Sequence, residues 1–167
     1  MNNTKINGPL ITINIYNLKN ISGNLIFDRN QGDVDYASYC VRNNIYVHED
    51  LKGAYNASDR NRIFESIRYL KECVRSYGIF EAREKTRGGW DEYCIASKTD
   101  NNNILRDLNY FKGIISGAQT PEVPANLDSL SYIKANILEK ILFDLYNIFI
   151  GYAEFWLYCG EEYLNNY

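Results

Sequence analysis

The last third of the chain has the apolar spacing of one long α-helix. Its apolar residues recur every three or four positions, which places them on one side of a helix. They are Leu130, Ile133, Ile137, Ile141, Leu145, Ile148, Tyr152, Phe155 and Cys159. A helix from Ser129 to Cys159 would be about 46 Å long, more than a compact domain of this size is wide. We expect it to form the spine of the core and to bend near Gly151 or project.

Two shorter segments have the same periodicity. The first runs from Ser58, a candidate N-cap, to Gly78, a residue type that ends many helices. Its apolar residues are Ile63, Ile67, Leu70, Val74 and Tyr77. The second follows the asparagines at 101–103 and ends at Gly117. Its apolar residues are Ile104, Leu108, Phe111 and Ile115.

Other segments have the features of strands. Residues 10–16 alternate isoleucine with polar side chains, and residues 25–27 can form a second strand beside them. Residues 36–47 offer two further short extended pieces. Gly88 and Gly89 predict a hairpin that joins 79–86 to 90–97, because glycine adopts the positive φ of a two-residue turn. Arg87 and Trp90 would then flank the turn, close enough for a cation–π contact.

Strands that come mostly before helices predict an α+β fold. We expect an antiparallel sheet, made of the N-terminal strands and the Gly88-Gly89 hairpin, packed against about three helices. The 167 residues are 46% hydrophobic and 23% charged, which fits one globular domain over residues 1–167. No internal repeat or long linker divides it.

Positive charge is concentrated in the middle of the chain. Residues 60–87 hold eight of the eighteen basic residues and only four acids, while residues 121–167 hold seven acids and two lysines. Such an asymmetry bears on partners and association rates. The candidate basic surface, which we call the basic set, is Arg60, Arg68, Lys71, Arg75, Arg83, Lys85 and Arg87. Tyr77, Trp90 and Tyr93 are the candidate aromatic contacts beside it.

The basic set allows two interpretations. One arginine guanidinium can donate hydrogen bonds to two oxygens of a phosphate, and aromatic rings can stack on bases. Nucleic acid or a nucleotide phosphate is therefore one candidate ligand. The other is a surface without a ligand. It is either solvated, since Glu65, Glu72, Glu81 and Glu84 are interleaved with the cations, or it docks on the acidic C-terminal half of the same chain.

No strong catalytic or metal-binding pattern is present. His48 is the only histidine, and a pair with Cys40 or with the adjacent acids Glu49 and Asp50 is the one enzyme hypothesis. The cysteines lack metal-ligand spacing and are expected to be buried free thiols. We therefore expect no metal and no cofactor.

The sequence also bears on where in the cell the protein acts. The N-terminus lacks the features of a secretory signal, and the apolar run 141–159 is interrupted by Asp144 and Glu154, which disfavours a membrane span. We expect a cytoplasmic protein, in the host cytoplasm if it is viral.

The favoured function is a non-catalytic protein-binding factor. The chain has fifteen tyrosines, some of which must be exposed, and tyrosine is common in recognition surfaces. We expect an inhibitor, an immunity protein or a counter-defence protein from a virus, phage or low-GC bacterium. It would block a larger protein or protein–nucleic-acid complex. A homodimer through the C-terminal helix is a further expectation.

Overall fold

The chain folds into helices joined by irregular segments. The computed structural model describes residues 15–45, 51–76, 84–115 and 119–164, and within these ranges it contains five α-helices and no β-strand. The helices are α1 (Ile15–Gly23), α2 (Gln31–Arg42), α3 (Ala57–Ser76), α4 (Lys98–Ile114) and α5 (Tyr132–Leu164).

The core lies where α3 and α4 pack against α5. The apolar rows predicted for α3 and α4 are confirmed, because Ile63, Ile67, Leu108 and Phe111 are fully buried. From α5 the core takes Leu138, Ile141, Leu142, Leu145, Tyr146 and Phe149. α1 also packs against α5, and Lys19 forms a 2.7 Å ion pair with Glu154 there. α2 buries only Ala37 and Cys40 and lies at the periphery.

The fifth helix is as long as the sequence predicts. It has 33 residues, about 50 Å at 1.5 Å per residue, and it continues through Gly151. It starts at Tyr132, three residues after Ser129, and the Ser131 hydroxyl accepts a hydrogen bond from the Lys134 N–H at 3.3 Å. The predicted apolar row is only partly internal: Ile141 and Leu145 are buried, whereas Ile133 is 55% exposed.

Helices α2, α3 and α4 each begin with an asparagine or serine followed three residues later by an aspartate. The Asn30–Asp33 and Ser97–Asp100 pairs are complete capping boxes. At α3 the predicted N-cap Ser58 is wrong. The Asn56 side chain accepts from the Ser58 N–H, and Asp59 accepts from the Asn56 N–H, both at 2.8 Å. Each box satisfies amide groups that the first helical turn leaves unpaired.

The predicted α+β fold is wrong. Residues 36–42 belong to α2 instead of an extended piece, because the Asn30 capping box starts a helix before them, and residues 46 and 47 lie outside the described ranges. Residues 10–14 lie outside the described ranges, and Ile15 and Tyr16 begin α1. Residues 25–27 are irregular. The backbone N–H of Ile26 donates to Glu139 on α5, at 2.6 Å, so it has no need of a neighbouring strand.

The predicted Gly88-Gly89 hairpin is also wrong in the residues that can be checked. Residues 84–97 form no strand, and residues 79–83 lie outside the described ranges. The N–H groups of Lys85 and Thr86 both donate to Asp107 Oδ2 on α4, at 2.7 Å. A buried carboxylate thus takes the hydrogen bonds that a partner strand would have supplied. Gly89 does have positive φ, 73°, as a tight turn requires.

Candidate functional site

Four cations of the basic set each lie beside a carboxylate. The pairs are Arg68–Glu65 at 2.5 Å, Lys71–Glu84 at 2.5 Å, Arg75–Glu72 at 3.7 Å and Arg87–Asp100 at 3.0 Å. The Lys71–Glu84 pair is the most enclosed, with side chains about 20% exposed. Burial would raise the pKa of Glu84, but the hydrogen bonds to its carboxylate and the charges of Lys71 and Arg75 together outweigh burial and lower that pKa. The local charge of this surface is therefore largely balanced.

The other members of the set differ from one another. Arg83 and the aromatic candidate Tyr77 lie outside the described residues, as does His48. Lys85 has an exposed side chain without an ion pair in the part of the chain that the structure describes. Arg60 turns inward, where its Nη2 donates to Asn101 Oδ1 at 3.0 Å. The members that can be placed thus form no continuous surface of unpaired charge.

Trp90 brings two of these arginines together. The Arg87 guanidinium lies 4.0 Å from the centre of the indole, which confirms the predicted contact, and the Arg60 guanidinium lies 4.8 Å from it. Arg60 also lies 5.6 Å from the Tyr55 ring. Cations are attracted to the negative faces of aromatic rings at such distances. The indole therefore ties the segment before α4 to the first turn of α3.

The backbone at Trp90 is held by a single side chain. The Asn61 amide on α3 accepts from the Trp90 N–H at 2.9 Å and donates to the Trp90 carbonyl at 2.8 Å. The indole N–H donates to the Arg87 carbonyl at 2.8 Å. Since the ring is buried as well, Trp90 is a fixed point on the surface of the helix bundle.

Residues 91–97, which we call the Trp90 loop, connect Trp90 to the start of α4. Within the loop, Asp91 accepts from the Tyr93 N–H at 3.0 Å. Hydrogen bonds from the Cys94 thiol and from the Tyr93 backbone lower the pKa of Asp91. At the other end, Asp100 both caps α4 through Ser97 and pairs with Arg87. The loop is therefore held at both ends.

The Trp90 loop carries the two most exposed large hydrophobic side chains in the described residues. Tyr93 is 84% exposed and Ile95 is 90% exposed. Tyr93 was a candidate contact from the sequence, whereas Ile95 was not. The sequence analysis did not single out Ile95, since it placed residues 90–97 in a strand of the Gly88-Gly89 hairpin. Tyr36, Tyr39 and Val41 on α2 are exposed as well.

A buried network of four charged side chains was missed by the sequence analysis. Arg29, in the segment before α2, donates to Asp59 on α3 at 2.6 Å and to Glu139 on α5 at 2.8 Å. Arg62 also contacts both carboxylates. Glu139 is completely buried. The available signal was a glutamate between Leu138 and Ile141 on the apolar side of the predicted helix.

This network is electrically neutral and joins three parts of the fold. Burial would lower the pKa of Arg62, but the bonds to Glu139 and Asp59 outweigh it and raise that pKa. Tyr55 lies beside the network, and burial raises the pKa of its hydroxyl. Two arginines and two carboxylates leave no net charge for a ligand, so we assign the network a positional role.

A cavity of about 270 Å³ opens beside this network. It is lined by the first turns of α2 and α5, by Gly53 and Tyr55, and by Arg29, whose cation is already neutralised. No group of three or more histidine, cysteine or carboxylate side chains within the described ranges could hold a metal ion. Cys40, the expected partner of His48, is buried.

No described helix combines the length and the apolar character needed to cross a bilayer. Comparison of the chain with models of known protein families, with curated proteins and with solved structures finds no match.

Proposed function

We propose that this chain is a non-catalytic protein-binding factor that occupies a surface of a larger protein through the Trp90 loop. One observation carries the proposal. Tyr93 and Ile95 extend into solvent from a loop whose two ends are fixed to α3 and α4.

A loop of this kind suits binding for a physical reason. Ordering a flexible loop costs free energy on association, and a loop that is already held avoids much of that cost. Tyrosine adds a large contact area with few rotatable bonds, which is why it is enriched in recognition loops. Tyr93 is therefore the residue we expect to contribute most to affinity.

The charges of the loop suggest the chemistry of the partner. Asp91 and Glu92 are exposed and have no ion pair among the residues that the structure describes. A complementary surface would have an apolar pocket for Tyr93 and Ile95 with lysine or arginine at its edge, since opposite charges speed encounter and fix orientation. Such a factor would act in the cytoplasm as an inhibitor, an immunity protein or a counter-defence protein of a virus, phage or low-GC bacterium.

The alternative, a nucleic-acid or phosphate binder that uses the basic set, has less support. Phosphate binding depends on cations that are free to replace counterions, and Arg68, Lys71 and Arg75 each have a carboxylate within 4 Å. The enzyme hypothesis rests on His48, which lies outside the described residues, and no geometry supports it.

The test compares two matched double variants. Tyr93→Ser with Ile95→Ser removes the exposed side chains of the Trp90 loop. Tyr36→Ser with Val41→Ser removes an exposed aromatic and an exposed β-branched residue from α2 and serves as the control. The tagged chain and both variants are used to capture proteins from a lysate of the source cell, with and without nuclease.

We expect one protein partner to be recovered by the unmodified chain despite nuclease, about tenfold less by the loop variant, and equally by the control. Equal recovery by the loop variant would exclude the Trp90 loop as the contact. Recovery that disappears with nuclease would favour the phosphate-binding alternative, and charge reversal at Arg68 and Arg75 should then abolish it.

A further inference from the structure

One side of α5 lies opposite the fully buried Leu142, with Ile137 and Ile148 half-buried against the edge of the core. It has residues at the spacing of a helix–helix seam. They are Ile133, Ile137, Lys140, Asp144, Ile148 and Gly151, at intervals of four, three, four, four and three. We call them the outer row. On an ideal helix they fall within a sector of about 80°. Ile133 and Gly151, at the two ends, are exposed, and from one to the other the row is about 27 Å long.

The outer row is nearly symmetric about Leu142. Lys140 and Asp144 lie at equal distances in sequence on either side of it, and so do Ile133 and Gly151. A contact between two identical surfaces related by a two-fold axis requires such self-complementarity. If two copies of α5 cross antiparallel at Leu142, Ile133 of each copy lies opposite Gly151 of the other.

The two ends of the row complement each other in shape. A side chain built at Gly151 would meet nothing within 4 Å. Gly151 lies in an open, largely apolar depression of about 520 Å³, lined also by Asn147, Ile148 and Tyr152. Ile133 presents an exposed branched side chain at the other end. A protruding side chain that enters the gap beside a small residue is the usual packing of helix pairs.

The centre of the row is complementary in charge. Lys140 and Asp144 form an ion pair within the helix. In the antiparallel arrangement each lysine also faces the aspartate of the other copy, whereas a parallel arrangement would place lysine against lysine. Charge thus selects one orientation.

We infer that the outer row of α5 binds a second copy of this chain. The two α5 helices are antiparallel, and they cross at the level of Leu142 along the helix axis. This surface lies on α5 and uses none of the residues of the Trp90 loop, so the inference stands apart from the proposed function. It gives a register and an orientation to the homodimer that the sequence only suggested.

The first experiment fills the gap at Gly151. Gly151→Leu should leave the fold of the single chain intact, because the new side chain has open space, but it should collide with Ile133 of the second copy. Gly113→Leu, at an equally open glycine on α4, is the matched control. Sedimentation velocity over a concentration series gives the dimer dissociation constant of each protein, and circular dichroism checks the helix content.

We expect the unmodified chain and Gly113→Leu to dimerise with the same dissociation constant. Two symmetric collisions should raise that constant about a hundredfold in Gly151→Leu. A chain that stays monomeric at several hundred micromolar, or a Gly151→Leu variant that dimerises as the unmodified chain does, would overturn the inference.

The second experiment tests the orientation by mixing. Asp144→Lys gives a row with two lysines and Lys140→Asp gives a row with two aspartates, so each variant alone should be monomeric. Mixed in equal amounts, they should form a heterodimer, because every facing pair is then opposite in charge. A misfolded variant could not gain association on mixing. If mixing produces no heterodimer while both variants keep their helix content, the antiparallel register is wrong.

Discussion

The Nη2 group of Arg29 donates to Oε1 of Glu139 at 2.8 Å, and the two side chains are 1% and 0% exposed. The residues are 110 positions apart in the sequence. Arg29 also exchanges two backbone hydrogen bonds with the Asn136 side chain, at 3.1 and 2.8 Å. The segment between α1 and α2 is therefore attached to α5 by these polar contacts as well as by apolar ones, such as Phe27 against Phe143.

Replacing Arg29 should be among the most destabilising single changes in this chain. Arg29→Met leaves the buried carboxylates of Glu139 and Asp59 with Arg62 alone, and breaking one partner of a buried charge network costs about 3 to 5 kcal/mol. Lys52→Met is the control, since the Lys52–Asp28 pair is exposed to solvent and such pairs contribute about 0 to 1 kcal/mol. Urea unfolding gives both free energies. Equal losses in the two variants would contradict a central role for Arg29.

Loss of the Asn61 amide should release the Trp90 loop. Asn61→Ala removes both hydrogen bonds to the Trp90 backbone, at a cost of about 1 to 3 kcal/mol. The Trp90 amide hydrogen should then exchange faster with solvent, which hydrogen-exchange mass spectrometry or NMR measures. Asn102→Ala, at an exposed position on α4, should change neither quantity. Unchanged protection of Trp90 in Asn61→Ala would show that the indole holds the loop without Asn61.

The cysteines should differ in reactivity. Burial raises the pKa of the Cys73 thiol to about 12, and Cys40 is buried as well, so neither should react quickly with a thiol reagent at pH 8, since the thiolate is the reactive form. Cys94 is partly exposed on the Trp90 loop. Cys94→Ser should therefore remove one fast-reacting thiol under native conditions. Fast reaction of Cys73, located by peptide mapping, would contradict its burial.

Stability should fall in acid. Hydrogen bonds from Ser97, together with the charges of Arg87 and Arg60, lower the pKa of Asp100 despite opposing burial. The pKa of Glu84 is also lowered. A carboxyl whose pKa is lower in the folded state stabilises the fold above its unfolded pKa, near 4, and loses that contribution as the pH falls through the folded value.

The free energy of unfolding should therefore drop between about pH 5 and pH 2, and Asp100→Asn should reduce that drop. Urea titrations at a series of pH values measure both. An Asp100→Asn variant with the same acid dependence as the unmodified chain would contradict the effect of Arg87 and Ser97 on this carboxyl.

The helices of the core could be predicted because their signal is local. The apolar spacing that includes Ile63 and Leu108 depends only on neighbours three or four residues away. The contact of Arg87 with Trp90 was predictable for the same reason, since three positions separate them. The Asn-x-x-Asp cap of α2 and the Ser-x-x-Asp cap of α4 are local signals too, but they were not recognised as helix starts.

The sheet was predicted wrongly because distant side chains decide the backbone conformation of those segments. Asp107 takes the N–H groups of Lys85 and Thr86, and Asn61 takes those of Trp90. A Gly-Gly pair shows where a hairpin turn can form, but it does not show that a carboxylate more than twenty positions away will replace the neighbouring strand. The contact of Arg60 with Trp90 was unpredictable for the same reason.

The 110-residue separation of Arg29 and Glu139 also sets an order of events during protein synthesis. A ribosome adds about 5 to 20 residues per second, so Arg29 exists for about 5 to 20 s before Glu139 is made. For most of that interval α1 has no α5 on which to dock. The fold can therefore close only after residue 139 has been made, and a nascent chain truncated before that residue should be a ready substrate for chaperones and proteases.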